Sequence, residues 1–213
     1  MALSRRSFLK LVGGTSATLA RAPIVLAVKK GGAKRDIGSV EGFKKALLAA
    51  VLDRRGRVLN EERLRRLTEL RLKAGPHPPA TEAVIEAFLD PILDRLAHAG
   101  PGWHSYFSLL AYVNNSPEWG RKLMGNTFDS TVREFIQAVM ESLPDAAHED
   151  IYWGYNFLTG ALTLSLAETG RLDALSDGLC RSNDVAALKA RLGPYVSAGL
   201  LALARGPRPT GER

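Results

Sequence analysis

Three observations predict an all-α fold for this chain. From Ser39 onward every long segment carries apolar residues at three-to-four spacing, the period of a helix with one buried face. Strong breakers separate the segments: Gly75-Pro76-His77-Pro78-Pro79, Asn114-Asn115-Ser116-Pro117 and Pro144. Only Pro23 to Gly31, β-branched and bounded by proline and glycine, reads as a strand, and a lone strand has nothing to pair with. About six helices are expected between residues 39 and 205. An atypical segment, residues 1–38, precedes them, and a polar, disordered tail, residues 206–213, follows.

Ser39 is the expected N-cap of the first helix, with Glu41 in the first turn, where the helix dipole favours a carboxylate. Phe43, Leu47, Val51, Val58, Leu59, Leu67 and Leu70 form its apolar side, while Arg54, Arg55, Arg57, Arg63, Arg65 and Arg66 occupy much of the rest. Gly56 costs about 1 kcal/mol relative to alanine and suggests a bend. The second helix opens at Thr81 and buries Val84, Ile85, Phe88, Leu89, Ile92, Leu93 and Leu96, with Pro91 inside it as a kink. A short aromatic helix, Trp103 to Val113, follows. Ser116 and Pro117 start the next, Glu118 to about Leu143, which buries Leu123, Phe128, Val132, Phe135, Ile136 and Val139. The last two helices, Glu149 to Thr169 and Asp184 to Ala204, carry more apolar surface than one stripe needs. Such helices bury a second face, and in a soluble protein a partner chain covers it.

Composition narrows the class. The 213 residues are 46% hydrophobic and 24% charged, which excludes global disorder. The single cysteine, Cys180, excludes an internal disulfide and a cysteine-built zinc site. The net charge of +7 is uneven: Met1 to Pro79 holds 18 Lys+Arg against 6 Asp+Glu, and the remainder 11 against 16. A basic end suits phosphate or anionic lipid, although a solvated helix face plus a basic leader gives the same count.

No constellation for catalysis is visible, and no metal or cofactor is expected. His77, His98, His104 and His148 are scattered, none at the i, i+4 spacing that sets two imidazoles on one face. A Gly-rich phosphate loop and a G-x-S-x-G elbow are both missing. Phe88, Trp103, His104, Tyr106, Phe107, Phe128, Trp153, Asn156 and Phe157 are the candidate lining of an apolar ligand cavity, with plain core packing as the alternative for each. Asn156 and Thr163 are candidate polar anchors on the penultimate long helix.

Before the helices, Ser4-Arg5-Arg6-Ser7-Phe8-Leu9-Lys10, an apolar run to Ala20 and Ala20-Arg21-Ala22 resemble a twin-arginine export signal. The run is too short to span a membrane stably. Pro23 to Gly31 together with Ala33 to Ala50, including Ser39-Val40-Glu41-Gly42-Phe43-Lys44, resembles a fragment of a molybdate-type periplasmic substrate-binding protein. An exported, oxyanion-binding protein is therefore the rival reading. Against it stands the missing α/β body, which the remaining segments do not build.

The stretch Gly38-Ser39-Val40-Glu41-Gly42-Phe43, running through Ala50-Val51-Leu52-Asp53-Arg54-Arg55 to Asn60-Glu61-Glu62-Arg63, resembles the fourth helix of a TetR-family transcriptional regulator. Trp103-x-x-Tyr106-Phe107-x-Leu109-Leu110 follows, then Asp150-Ile151-Tyr152-Trp153-Gly154-Tyr155-Asn156-Phe157-Leu158-x-Gly160-Ala161, then Leu192-x-Pro194-Tyr195-Val196-x-Ala198-Gly199. Their order resembles the fatty-acid-responsive branch of that family from Gly38 to Ala204. The resemblance implies a small apolar effector held in the body and a homodimer through the last two helices. At that seam it places Gly160, Ala161, Leu164, Leu192, Tyr195, Val196, Gly199 and Leu203. It also implies a cytoplasmic location, with twin-arginine export as the alternative if residues 4–22 act as a signal.

A DNA-reading head with a helix-turn-helix is not recognisable before Gly38. Lys29 to Arg35 supplies charge without a helix, so DNA contact is expected only with phosphates and without sequence choice, unless a partner supplies a head. A natural fusion, a mis-assigned start and an artificial join of leader to body all fit the overlap at Gly38 to Ala50.

Overall fold

The computed structural model describes residues 40–117 and 119–206. The export-like leader, the strand-like Pro23 to Gly31, the Ser39 cap and the tail beyond Gly206 lie outside the described residues. Seven α-helices and one π-helical turn, with no strand, make up what is described. They are α1 (Val40–Ala74), α2 (Thr81–His98), α3 (Pro101–Asn114), the π turn (Gly120–Met124), α4 (Gly125–Ser142), α5 (His148–Leu166), α6 (Arg171–Leu175) and α7 (Val185–Arg205). The all-α expectation holds. Among the described residues no helix is long and apolar enough to cross a membrane.

Helix α1 runs for 35 residues through Gly56, where a bend was expected. The glycine serves a close approach: a Cβ built on it would lie 2.4 Å from Thr127 Cγ2 and 3.1 Å from Phe128 Cζ. Around it Leu48, Leu52, Leu59 and Leu67 are buried in one stripe with Gly56, Asn60 and Arg63. That stripe corrects the sequence expectation in two ways. Phe43 and Val58, read as inward, are exposed, and Arg63, read as outward, is buried.

Helices α2, α4, α5 and α7 build the rest of the core. Helix α2 packs on α1, α4 and α7, while α5 packs on α7, α3 and α4. In α2 the buried run Val84 to Leu96 includes Pro91 itself. Where α5 crosses α7, a Cβ on Gly154 would fall 2.2 Å from Leu200 Cδ2, so only glycine permits that depth of packing.

The expected helix from Glu118 begins differently. A π turn, Gly120–Met124, precedes α4, because the chain reverses tightly after α3 and Gly120 sits against the backbone carbonyls of Val113 and Asn114. Helix α6 was not foreseen. Five residues are too few for a periodic signal, and its loop is held by Asp173, whose carboxylate accepts from the Ser182 N–H at 2.9 Å. Asp184 caps α7 by accepting from Ala187 N at 2.9 Å.

Candidate functional site

Two features outside ordinary packing emerge from this frame: a cation inside the core and an apolar face left open. The cation is Arg63. It takes the position in the α1 stripe where a leucine would continue Leu59 and Leu67, and only 3% of it is exposed. Its Nε donates to the Phe88 carbonyl at 2.8 Å, and its guanidinium lies 3.7 Å from the Phe88 ring centroid. Phe88 stacks on Phe135 at 4.2 Å, with Tyr155 edge-on at 6.5 Å. Burial pushes the guanidinium down to about 10, while the phenols of Tyr155 and Tyr106 act in the opposite direction. Burial in turn raises the Tyr106 and Tyr155 phenols above their ordinary range. One turn before Arg63, Asn60 donates from Nδ2 to the Thr127 carbonyl at 2.6 Å, and its buried Oδ1 has no partner.

A second aromatic group closes the adjoining region. Trp103, Tyr106 and Phe107 pack with centroids 5.6 Å apart, and the Tyr106 hydroxyl donates to the Leu52 carbonyl at 3.2 Å. Arg55 and Arg95 lie over Trp103 at 4.9 and 5.1 Å. Arg55 also donates to the Gly102 carbonyl. The expected ligand-lining residues therefore divide. Phe88, Tyr106, Phe107 and Phe128 are buried, and Trp103 is partly buried against the same core. His104 is on the outer side, with Nδ1 3.6 Å from Glu168 Oε1.

Trp153, Asn156 and Phe157 lie elsewhere, on the outward stripe of α5 with Gly160 and Leu164. Trp153 and Phe157 stack at 5.8 Å yet are each more than half exposed. Leu164 is 68% exposed, and Tyr195 of α7 is 71% exposed, near the equally open Gly199. The other seam candidates do not share this exposure. Leu192 and Val196 are buried within the chain, and Ala161 and Leu203 are half-buried. Thr163 is internally satisfied, donating to the Thr159 carbonyl at 2.8 Å and accepting from Asn115.

Residues 86–199 match the family described as tetracyclin repressor-like, C-terminal domain. The chain belongs to the tetracyclin repressor-like (TetR) family. No curated protein matches it. The matched span begins inside α2 and ends inside α7, so it takes in the body, with α1 lying before it.

In this TetR-family chain α1 is fastened to the body at nearly every inward turn. Beyond Tyr106 to Leu52, Asn60 to Thr127 and Arg63 to Phe88, Arg66 bridges Glu62 and reaches Asp90 and Asp94 of α2 at 3.4 and 3.0 Å. Lys189 of α7 joins the same two aspartates. Arg71 pairs with Glu141 at 2.9 Å and Glu134 at 3.3 Å, tying α1 to α4. The Arg65 and Arg66 guanidiniums hold the Glu62 carboxyl down at about 2. Together these contacts join α1 to α2, α3 and α4.

An open cleft of about 560 Å³ lies at the end of α3, lined by Tyr112, Asn115, Ser116, Pro117 and Ala167 among others. Among the described residues no group of three His, Cys, Asp or Glu is placed to hold a metal ion. Arg63, Asn60, Phe135 and Tyr155 were not among the residues singled out from the sequence as cavity lining. The spacing Leu59, Arg63, Leu67 was the available signal for the first of them.

Proposed function

We propose that this chain is the effector-binding and pairing body of a transcriptional regulator, homodimeric through α5 and α7 and located in the cytoplasm. The open stripe of Trp153, Phe157, Leu164 and Tyr195 is the observation that carries the pairing. Large apolar side chains grouped on one face of two adjacent helices mark an interaction surface, and the open glycines Gly160 and Gly199 let a second backbone approach. With Trp153 and Phe157 on that face, the effector falls to the inner group of Phe88, Phe128, Phe135 and Tyr155, together with Trp103 and Tyr106. The ligand is a small, mainly apolar molecule, in keeping with the resemblance to fatty-acid-responsive regulators.

Binding among these rings favours one arrangement of α1 over another, and the contacts along α1 carry the difference toward whatever precedes it. Contact of the basic residues 1–38 with DNA is weak and with phosphates, without sequence choice unless a different, head-bearing chain takes the partner's place. The test is thermal melting with a series of uncharged long-chain alcohols. A ligand that binds the folded state raises the melting temperature with concentration. A flat response across the series would remove the effector reading.

A further inference from the structure

We propose that Arg63 forms the polar end of the ligand site and binds an anionic head group on an apolar body, an inference that rests on the effector reading above. Arg63 offers five N–H donors, and among the described residues one is used, Nε to the Phe88 carbonyl. No carboxylate among the described residues lies within ion-pair distance of it. Glu62, next to it in the chain, pairs with Arg65 and Arg66, and Asp90 and Asp94 of α2 pair with Arg66 and Lys189. A buried guanidinium without a counter-ion is costly, and one carbonyl does not offset the loss of water around a full charge.

A purely structural role accounts for only part of this. Phe88 lies in the turn before Pro91, which contributes no N–H to the helix, and Arg63 Nε steadies that turn. A neutral donor would serve the carbonyl equally well. The Phe88 ring face takes up part of the charge, and the four remaining N–H donors have no acceptor among the described residues. Asn60, one turn earlier on the same face, does not neutralise the charge: its Nδ2 donates to the Thr127 carbonyl, and its amide oxygen carries no full negative charge. Unused donors on a buried cation that lies against the Phe88 ring match a ligand end that carries anionic oxygens. A carboxylate and a phosphate both meet the guanidinium fork.

The experiment compares the affinity of dodecanoate, dodecyl phosphate and dodecanol for the full chain by titration calorimetry, near neutral pH. One anion is expected to bind about tenfold or more tightly than dodecanol, in line with a charged hydrogen bond, and the better of the two identifies the head group. Arg63→Met should erase that preference while dodecanol still binds. Asn60→Asp, which places a carboxylate beside Arg63 with little change of shape, should erase it too and keeps the test open if Arg63→Met fails to fold. Equal affinities in the unaltered chain, or equal weakening of acid and alcohol in both variants, would overturn the proposal and leave Arg63 as a support for the Pro91 turn. Binding of dodecanol without anion preference sinks only this inference, whereas no binding of any of the three removes the effector reading with it.

Discussion

Gly56 of α1 and Thr127 of α4 are in such close approach that a Cβ on the glycine would lie 2.4 Å from the threonine Cγ2. Helix propensity alone says that alanine here gains about 1 kcal/mol. The overlap with a β-branched side chain and with the Phe128 ring outweighs that gain, since overpacking a filled core costs about 1–3 kcal/mol. Gly56→Ala is therefore expected to lower stability. Denaturant unfolding checks it through a lower midpoint at an unchanged slope.

The α5–α7 crossing is tested by the same logic. Gly154→Ala should cost about 1–3 kcal/mol against Leu200, and Leu200→Ala about 2–5 kcal/mol through the cavity it leaves. The double variant should lose less than the two together, because the added methyl occupies space that Leu200 vacates. Full additivity in chemical unfolding would mean that the two residues do not meet as described.

Acid should loosen α1. The Glu62 carboxyl sits at about 2 in the folded chain against an ordinary 4.5, first through its hydrogen bond with Arg65 and then through that with Arg66. A depressed folded value contributes stability that is complete above the unfolded value and is lost as the pH falls from about 4.5 toward 2. Melting temperature followed across that window should fall more steeply in the unaltered chain than in Glu62→Gln. Parallel curves would show that the Glu62 contacts add nothing.

The open face predicts a separation of pairing from folding. Leu164→Glu and Tyr195→Glu change side chains that are 68% and 71% exposed in the single chain, so each should shift the stability of an isolated chain by no more than about 0.5 kcal/mol. Both should nevertheless abolish pairing, because a carboxylate at the centre of an apolar seam has no partner. Circular dichroism unchanged, with mass halved, is the expected joint result.

Much of this fold was legible because helical periodicity is a strong signal over long segments. Leu59 and Leu67 are buried as their spacing predicts, although nearer the start of α1 Leu48 and Leu52 point inward where Leu47 and Val51 were expected, and Pro76, Pro117 and Pro144 fall between helices as their chemistry requires. The candidate site was legible only in part. Arg63 was read as outward because its charge argued for solvent, although the four-residue steps from Leu59 and to Leu67 place it in the core. On α5 both faces are apolar, so spacing alone did not separate Leu158 and Leu162, which point inward, from Trp153, Phe157 and Leu164, which do not. The π turn and α6 are set by local backbone fit, which leaves no periodic trace.

The most direct test of the account is the mass of the purified chain by light scattering, read alongside Tyr195→Glu. A body that pairs through α5 and α7 gives twice the 23.1 kDa chain mass for the unaltered protein and a single chain mass for the variant. A single chain mass for both, with α5 and α7 intact by circular dichroism, would contradict it.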